Sequence, residues 1–478
     1  MKKGSITVYL SLTLLVLISL IAAGLYGARQ AAGRVVTASA LEQSLFSLFG
    51  QYDRDLLDDF GLLFLDGGYG GSSFLPGKLL EEVETEATYV MQPKKGTLLA
   101  SRHDLLGIRS GEGSSVTGYV LATDDGGRAF RRQVCEITQA KLGPAGIVFL
   151  RDRLQEQQEM IAAEKAAFEG YEIPTSLPEA RPAEEGEGSE EISIPSWFFD
   201  PVQALRGMQA AGVLAMTVPN AASVSAAEVE PGSLLSGRTK ESGMAMPADG
   251  WDGSGERMLL MEYLTARFPC YADQAAGAGL RYQIEFAIAG KSSDRENLQE
   301  VLLRLLHIRE ATNFLHILRS PSLKAEADAL ASVISLLLVQ PELQPMISLL
   351  VSYVWAYGES ILDLQELLAG GKVPLIKGEG AWQLALWQLP LLRLRPAATG
   401  THNTSGLEYR DYLKLLLFLQ SSDQMTTALM DLVELHVRTE KGRAAFRLDH
   451  CVDALRVELP VQIGRNRYRI ERSYGYNA

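Results

Sequence analysis

Hydrophobic positions change their spacing along this chain, and each change predicts an element. From Gly4 to Ala28 the sequence GSITVYLSLTLLVLISLIAAGLYGA holds 25 residues without a charge, more than the ~20 that carry a helix across a bilayer core. The run predicts a transmembrane helix. Beyond it Val35, Ala38, Leu41, Leu45, Leu48, Tyr52 and Leu56 recur every three or four residues, with Arg29, Arg34, Gln43 and Asp58 on the other side. That spacing is one apolar face of a helix. Unbroken from Ser5 to Asp59, such a helix is roughly 80 Å long, half in lipid and half packed on a domain, with Gly33 and Gly50 as candidate bends.

The rest of the chain mixes both periods. Phe60 to Leu65 reads as a first strand, Leu79 to Met91 as a helix, Thr97 to Leu106 and Val116 to Ala122 as strands, and Ala129 to Ala140 and Leu150 to Glu169 as helices. Tyr282, Ile284, Phe286 and Ile288 alternate with Gln283, Glu285, Ala287 and Ala289, which predicts a half-buried strand ending at Gly290. Ser293 to Glu296 has the S-x-x-E form of a capping box and opens a helix through Leu298, Val301, Leu302, Leu305 and Ile308. Ala325 to Val339, Met346 to Leu368, Tyr409 to Leu419 and Gln424 to Val437 follow as helices, and VELPVQI, Gly464-Arg465-Asn466 and RYRIERSY close the chain as a hairpin. The fold class is α+β: a long N-terminal transmembrane helix followed by a large mixed domain.

Composition then divides the chain. Residues 169–196 carry eight Glu and four Pro with few core-forming residues, the signature of a flexible acidic linker. It separates residues 29–168, an amphipathic helix with a first mixed lobe, from 197–478, the main α+β domain with a loose Gly/Ser-rich segment at 231–256. The chain is 47% hydrophobic and 22% charged, a globular average that excludes wholesale disorder. A net charge of -13 without clustered Lys and Arg argues against a nucleic-acid partner. A second charge-free run in an apolar helical pattern, Leu343 to Gly358, has 16 residues and contains Pro345, so it reads as a buried core helix. Lys2 and Lys3 precede the span and Arg29 and Arg34 follow it. Charge is nearly balanced, and the short head places residues 1–28 as a cytoplasmic end plus span, with the domain outside. A cleaved signal is the alternative, but its apolar region runs only ~7 to 15 residues, and Ala38-Ser39-Ala40 lies beyond charged residues. Prepilin-type cleavage between Gly4 and Ser5 is a third reading; pilins processed so carry Glu at the fifth mature position, where this chain has Tyr9.

Chemistry-bearing residues are sparse. Cys135, Cys270 and Cys451 are odd in number and widely spaced, reading as buried thiols, with one disulfide as the alternative. The six His form no HExxH, and His307 and His316, nine apart, face different ways on one helix. Gly290-Lys291-Ser292-Ser293 resembles the end of a phosphate loop, but Glu285 stands where its first glycine belongs. Asp252 to Glu256 fits a metal-coordinating D-x-S-x-S motif only in part. Asp53, Asp55, Asp58 and Asp59 read as the charged end of a helix, with a cation site as the alternative. Glu310, Asn313, Glu359 and Asp363 sit on otherwise apolar helices and read as a buried hydrogen-bonding network, with catalysis by Glu310 and Glu359 as the alternative. The expectation is a protein without enzymatic activity, cofactor, metal or nucleotide.

Several blocks carry a resemblance: GSITVYLSL, QYDRDLLDDFGLLFLD, YQIEFAIAGKSSDRENL with REATNFL, WAYGESILDLQELLAGGKVPLIK and GLEYRDYL. They resemble a domain family of unknown function of Gram-positive anaerobes, whose genes lie with those of the tight-adherence (Tad) pilus system. The resemblance implies a TadE/TadG-like, single-pass membrane protein with a pilin-like helix and an extracytoplasmic domain on the cell surface. Its implied role is an accessory or minor-pilin-like part in pilus assembly, in contact with membrane lipid and with pilin-like and TadE/TadG-like proteins. Ile6, Tyr9, Leu10, Leu14, Leu17, Leu20, Ile21 and Leu25 are the residues expected to make those contacts. The alternative class is a membrane-tethered envelope enzyme or ligand-binding surface protein unrelated to pili.

Overall fold

The computed structural model describes residues 3–91, 106–174, 200–274, 279–378, 380–394 and 405–476. The strand expected at 97–106 and most of the acidic segment 169–196 therefore lie outside the described residues. Helix α1 (Lys3–Phe49) has 47 residues, roughly 70 Å at 1.5 Å per residue. The expected continuation to Asp59 is interrupted at Gly50. There Asp53 accepts the Leu56 N–H at 3.1 Å and starts a separate short helix, α2 (Arg54–Phe60).

Apolar residues in the first half of α1 are exposed, whereas one face is buried from Gln30 onward. Leu41, Leu45 and Leu48 lie on that face as the spacing predicts. Val35 does not: it is 68% exposed, and Gln30, Thr37 and Ser44 are buried instead. The hydroxyls of Thr37 and Ser44 donate to the carbonyls of Gly33 and Ala40 at 2.8 and 2.7 Å, so these polar residues enter the core with their donors satisfied. Gly33 is a close contact rather than a bend. A Cβ there would lie 2.8 Å from Ile463 Cδ1.

Two compact units interleave along the sequence, one formed by Met1–Val134, Gly237–Asp252 and Val433–Ala478, the other by Cys135–Ser236 and Gly253–Leu432. They are discontinuous, unlike the consecutive lobes read from composition. The first unit holds an antiparallel sheet of β1 (Leu65–Asp66), β2 (Ile108–Ser110), β3 (Ser115–Leu121), β4 (Cys451–Ile463) and β5 (Asn466–Gly475). Strand β4 pairs along one edge with β1, β3 and β2 in succession and along the other with β5, from Ala454 opposite Gly475 to Ile463 opposite Asn466. Leu455, Val457, Leu459, Val461 and Ile463 all point to one face. They pack there with Leu41 and Leu45 of α1 and Leu79, Val83 and Ala87 of α3 (Pro76–Met91). The expected strand at Phe60–Leu65 shrinks to β1, because Asp53 and Gly61, at φ 74°, enclose a helix just before it. The segment expected to be loose is pinned: Arg238 binds both oxygens of Glu434 at 2.6 and 2.8 Å and Asp449 at 2.8 Å. Composition conceals such an anchor.

The two helices expected at 129–140 and 150–169 are one, α4 (Asp124–Glu169), in which Gly143 at φ 67° precedes Pro144 between the two expected spans. The second unit continues with α5 (Pro201–Ala211), α6 (Val213–Thr217), α7 (Glu256–Arg267), α8 (Gln283–Ala289), α9 (Asp294–Arg319), α10 (Pro321–Leu337), α11 (Gln344–Leu368) and α12 (Tyr409–Phe418). Helix α13 (Ser422–Glu440) follows. Segment α8 corrects the predicted strand. Ile284 through Ile288 are all buried, so no polar face existed, and alternation within a short run buried all round does not separate helix from strand. Its end and the next start are as predicted: Gly290 adopts φ 66°, and Ser293 Oγ accepts the Glu296 N–H. Helix α11 is a core helix, buried at nearly every position from Ile347 to Leu367, which accounts for its charge-free stretch.

Candidate functional site

The first candidate is the free half of α1. Ile6, Tyr9, Leu10, Leu14, Leu17, Leu20, Ile21 and Leu25 are between 54% and 68% exposed, and the helix is the one element among the described residues long and apolar enough to cross a membrane. Its polar side chains do not spoil that surface. Ser11, Thr13 and Ser19 donate to the carbonyls of Val8, Leu10 and Val16 at 2.8 to 2.9 Å, so these three hydroxyl donors are satisfied within the helix itself. Gly4 and Ser5 are already helical.

The second candidate is the polar group expected on apolar helices, and the structure brings three of its four members together. Asp363 on α11 accepts Arg309 Nε at 3.0 Å and Asn313 Nδ2 at 2.8 Å, both from α9. Asn313 Nδ2 also donates to Ser360 Oγ at 3.0 Å. Lys377, beyond α11, bonds Asp363 at 2.8 Å and makes a short contact with Glu359. Glu359 also accepts the backbone N–H groups of Gln383 and Leu384 at 2.9 and 2.7 Å. Arg309 completes its fork on the carbonyls of Pro374 and Leu375. Burial works to raise the Asp363 carboxyl, but Arg309 and Lys377 overcome it and hold the group below its ordinary value. For Glu359 burial prevails over Lys377, and its carboxyl is raised. Two cations and two carboxylates thus neutralise one another and tie α9, α11 and the 373–384 loop together. Sequence reasoning missed both cations. The signal was available for Arg309, which stands four residues before Asn313 on the buried side of α9.

Glu310 faces elsewhere. Its carboxyl is raised by burial, against a hydrogen bond with Tyr353, and its Oε1 has no partner among the described residues. It borders a cavity of about 440 Å³ lined by Phe168, His307, Ile308, Leu416 and Leu419 among others. Glu285, taken as the polar side of a strand, is fully buried on α8, with Oε1 accepting the Tyr271 N–H at 2.8 Å and the Tyr409 hydroxyl at 2.9 Å. Burial pushes its carboxyl up to about 7 from an ordinary 4.5. A raised carboxyl keeps its proton in the folded chain after the unfolded chain has released its own. Its contribution to stability therefore declines as pH rises from about 4.5 to about 7, by about 1.4 kcal/mol per pH unit and ~3 kcal/mol in all. Glu285→Gln, neutral at every pH, is expected to flatten that decline in urea unfolding curves across this window. An unchanged slope would assign the pH dependence to other groups.

The remaining motifs resolve into structure. Arg443 binds Asp53, Asp55 and Asp66 at 2.5, 3.0 and 2.8 Å, and Lys441 and His436 each bind Asp59 at 2.8 Å. The cations of this aspartate cluster are the protein's own. Among the described residues no group of His, Cys, Asp and Glu is arranged to hold a metal. Lys291 and Asn297 close the Gly290–Ser293 turn through mutual hydrogen bonds at 2.8 and 3.1 Å, and a helix occupies the place of the strand that a phosphate loop follows. All three cysteines are buried free thiols.

No curated protein and no solved structure matches the chain. A family model does, over residues 193–463 and so over more than half of the sequence. The chain belongs to that family, DUF5702, a family of unknown function.

Proposed function

We propose that this protein is a membrane-anchored, extracytoplasmic accessory or minor-pilin-like component of Tad-type pilus assembly, acting through protein contacts. The observation that carries the reading is the division of α1. Its second half is built into the sheet domain, while the apolar half from Ile6 to Leu25 has no cover from the described residues of its own chain. A helix held in this way can rest in lipid and later exchange lipid for neighbouring apolar helices, since packing rather than water drives that association. The N-terminus is cytoplasmic in this reading and the domain lies on the cell surface. The Tad connection comes from the sequence resemblance alone. Deleting the gene and counting pili by electron microscopy tests it, and a large loss of pili is expected.

The unpartnered Glu310 oxygen beside an apolar cavity favours the second reading, a tethered ligand-binding or enzymatic surface protein. A Glu310→Gln chain that complements the deletion fully keeps the assembly reading. A deletion strain with normal pili and an envelope defect that Glu310→Gln reproduces moves the assignment to the second.

A further inference from the structure

The end of the apolar span is ringed by arginines that lie far apart in sequence. Gln30 Nε2 donates to the Ile463 carbonyl at 2.9 Å, and Arg29 Nε to the Leu106 carbonyl at 2.8 Å. Together with the Gly33–Ile463 contact, these bonds fix the β4–β5 turn, the start of β2 and residues 29–34 of α1 at one level. Arg465 stands on the turn itself. Arg109 on β2 and Arg467 on β5 both lie opposite Gln462 of β4, so they share the sheet face away from the core, two strand spacings or about 10 Å apart. Arg34 lies over the Tyr468 ring at 5.5 Å. Arg34, Arg109, Arg465 and Arg467 are exposed, and no ion pair involves them among the described residues. On β4 and β5 the nearest carboxylates, Glu458 and Glu471, lie farther from the turn.

We infer that this arginine collar docks the domain on anionic phospholipid headgroups. The inference rests on the membrane-anchor reading of α1 and deepens it. If residues 6–28 span the bilayer core, Arg29 lies at its edge and Arg34 roughly 7–8 Å beyond, within the headgroup layer and about one Debye length of the surface. The chain as a whole carries a net charge of -13, so an anionic surface repels most of it. The collar is the local exception, and it sits where the chain meets the membrane. Juxtamembrane Lys and Arg each add a similar attraction to anionic lipid, and a surface of headgroups reads charge more than the geometry of a guanidinium. Docking here would hold the domain in one orientation over its anchor.

The full chain in lipid vesicles tests this. Because the three native cysteines are buried, Asn466→Cys carries a fluorophore at the turn and Leu17→Cys reports on the span. Headgroup-labelled quencher lipids should quench position 466 several-fold more in phosphatidylglycerol-rich vesicles than in phosphatidylcholine. High salt or the triple change Arg109→Gln, Arg465→Gln, Arg467→Gln should abolish the difference, and the corresponding Lys variant should keep it. Equal quenching in both lipids, with position 17 quenched by acyl-chain labels, overturns the collar and leaves the anchor standing. An unquenched position 17 overturns both.

Discussion

Arginine at both Leu14 and Leu17 is expected to release the protein from membranes. These residues lie near the middle of the apolar run, one turn apart, and are each 55% exposed. An arginine at the centre of a spanning helix costs ~2.5–3.5 kcal/mol on insertion scales, so the pair removes about 5–7 kcal/mol. One arginine could reach a headgroup layer with its long side chain; two on the same face at mid-depth are much harder to accommodate. Most of the chain should move from the carbonate-washed membrane pellet to the supernatant. The domain should stay folded, because the clamped part of α1 begins only at Arg29. Retention equal to that of the unaltered chain would mean that the apolar half of α1 is not the anchor.

Replacing Arg309 by Met is expected to be the most destabilising single change in the second unit. Its side chain is fully buried, and removing it leaves Lys377 alone to balance Glu359 and Asp363. It also strips donors from the Pro374 and Leu375 carbonyls and from Asn313. Breaking a buried pair from one side costs about 3–5 kcal/mol, because an uncompensated charge stays inside. The urea midpoint read by tryptophan fluorescence should fall accordingly, with Trp355 at the core of this unit as the natural probe. Arg309→Lys keeps the charge but loses the fork and should recover part of the loss. A shift of less than about 1 kcal/mol for the Met variant would mean that the network is open to water.

What was legible in the sequence follows from which interactions leave a pattern. The apolar half of α1 is plain because charge is missing from a whole segment of 25 residues. The ends of α8 and α9 are plain because Gly290 and Ser293 act locally. Buried positions on the second half of α1 were read one-sidedly: spacing found Leu41, Leu45 and Leu48, but Thr37 and Ser44 are concealed by bonds to their own helix. Strand and helix were confused at Tyr282–Ile288 because the alternation there marks no exposed face: Ile284 to Ile288 are all buried. Arg309 and Lys377 were missed for a related reason. Charged residues are counted as surface by default, and only tertiary structure shows that each has a carboxylate waiting. The interleaving of the two units depends on distant pairs such as Arg238 with Glu434 and Asp449, for which no local signal exists.

The central claim is that the free half of α1 works by packing against other apolar helices of a pilus system. A photoreactive residue at Leu14 or Ile21, placed one at a time and irradiated in cells that are building pili, tests it most directly. The expected product is a covalent adduct with a pilin-like or TadE/TadG-like protein, lost when that partner's gene is deleted. Adducts with lipid alone, in cells that assemble pili at the normal number, would contradict the account.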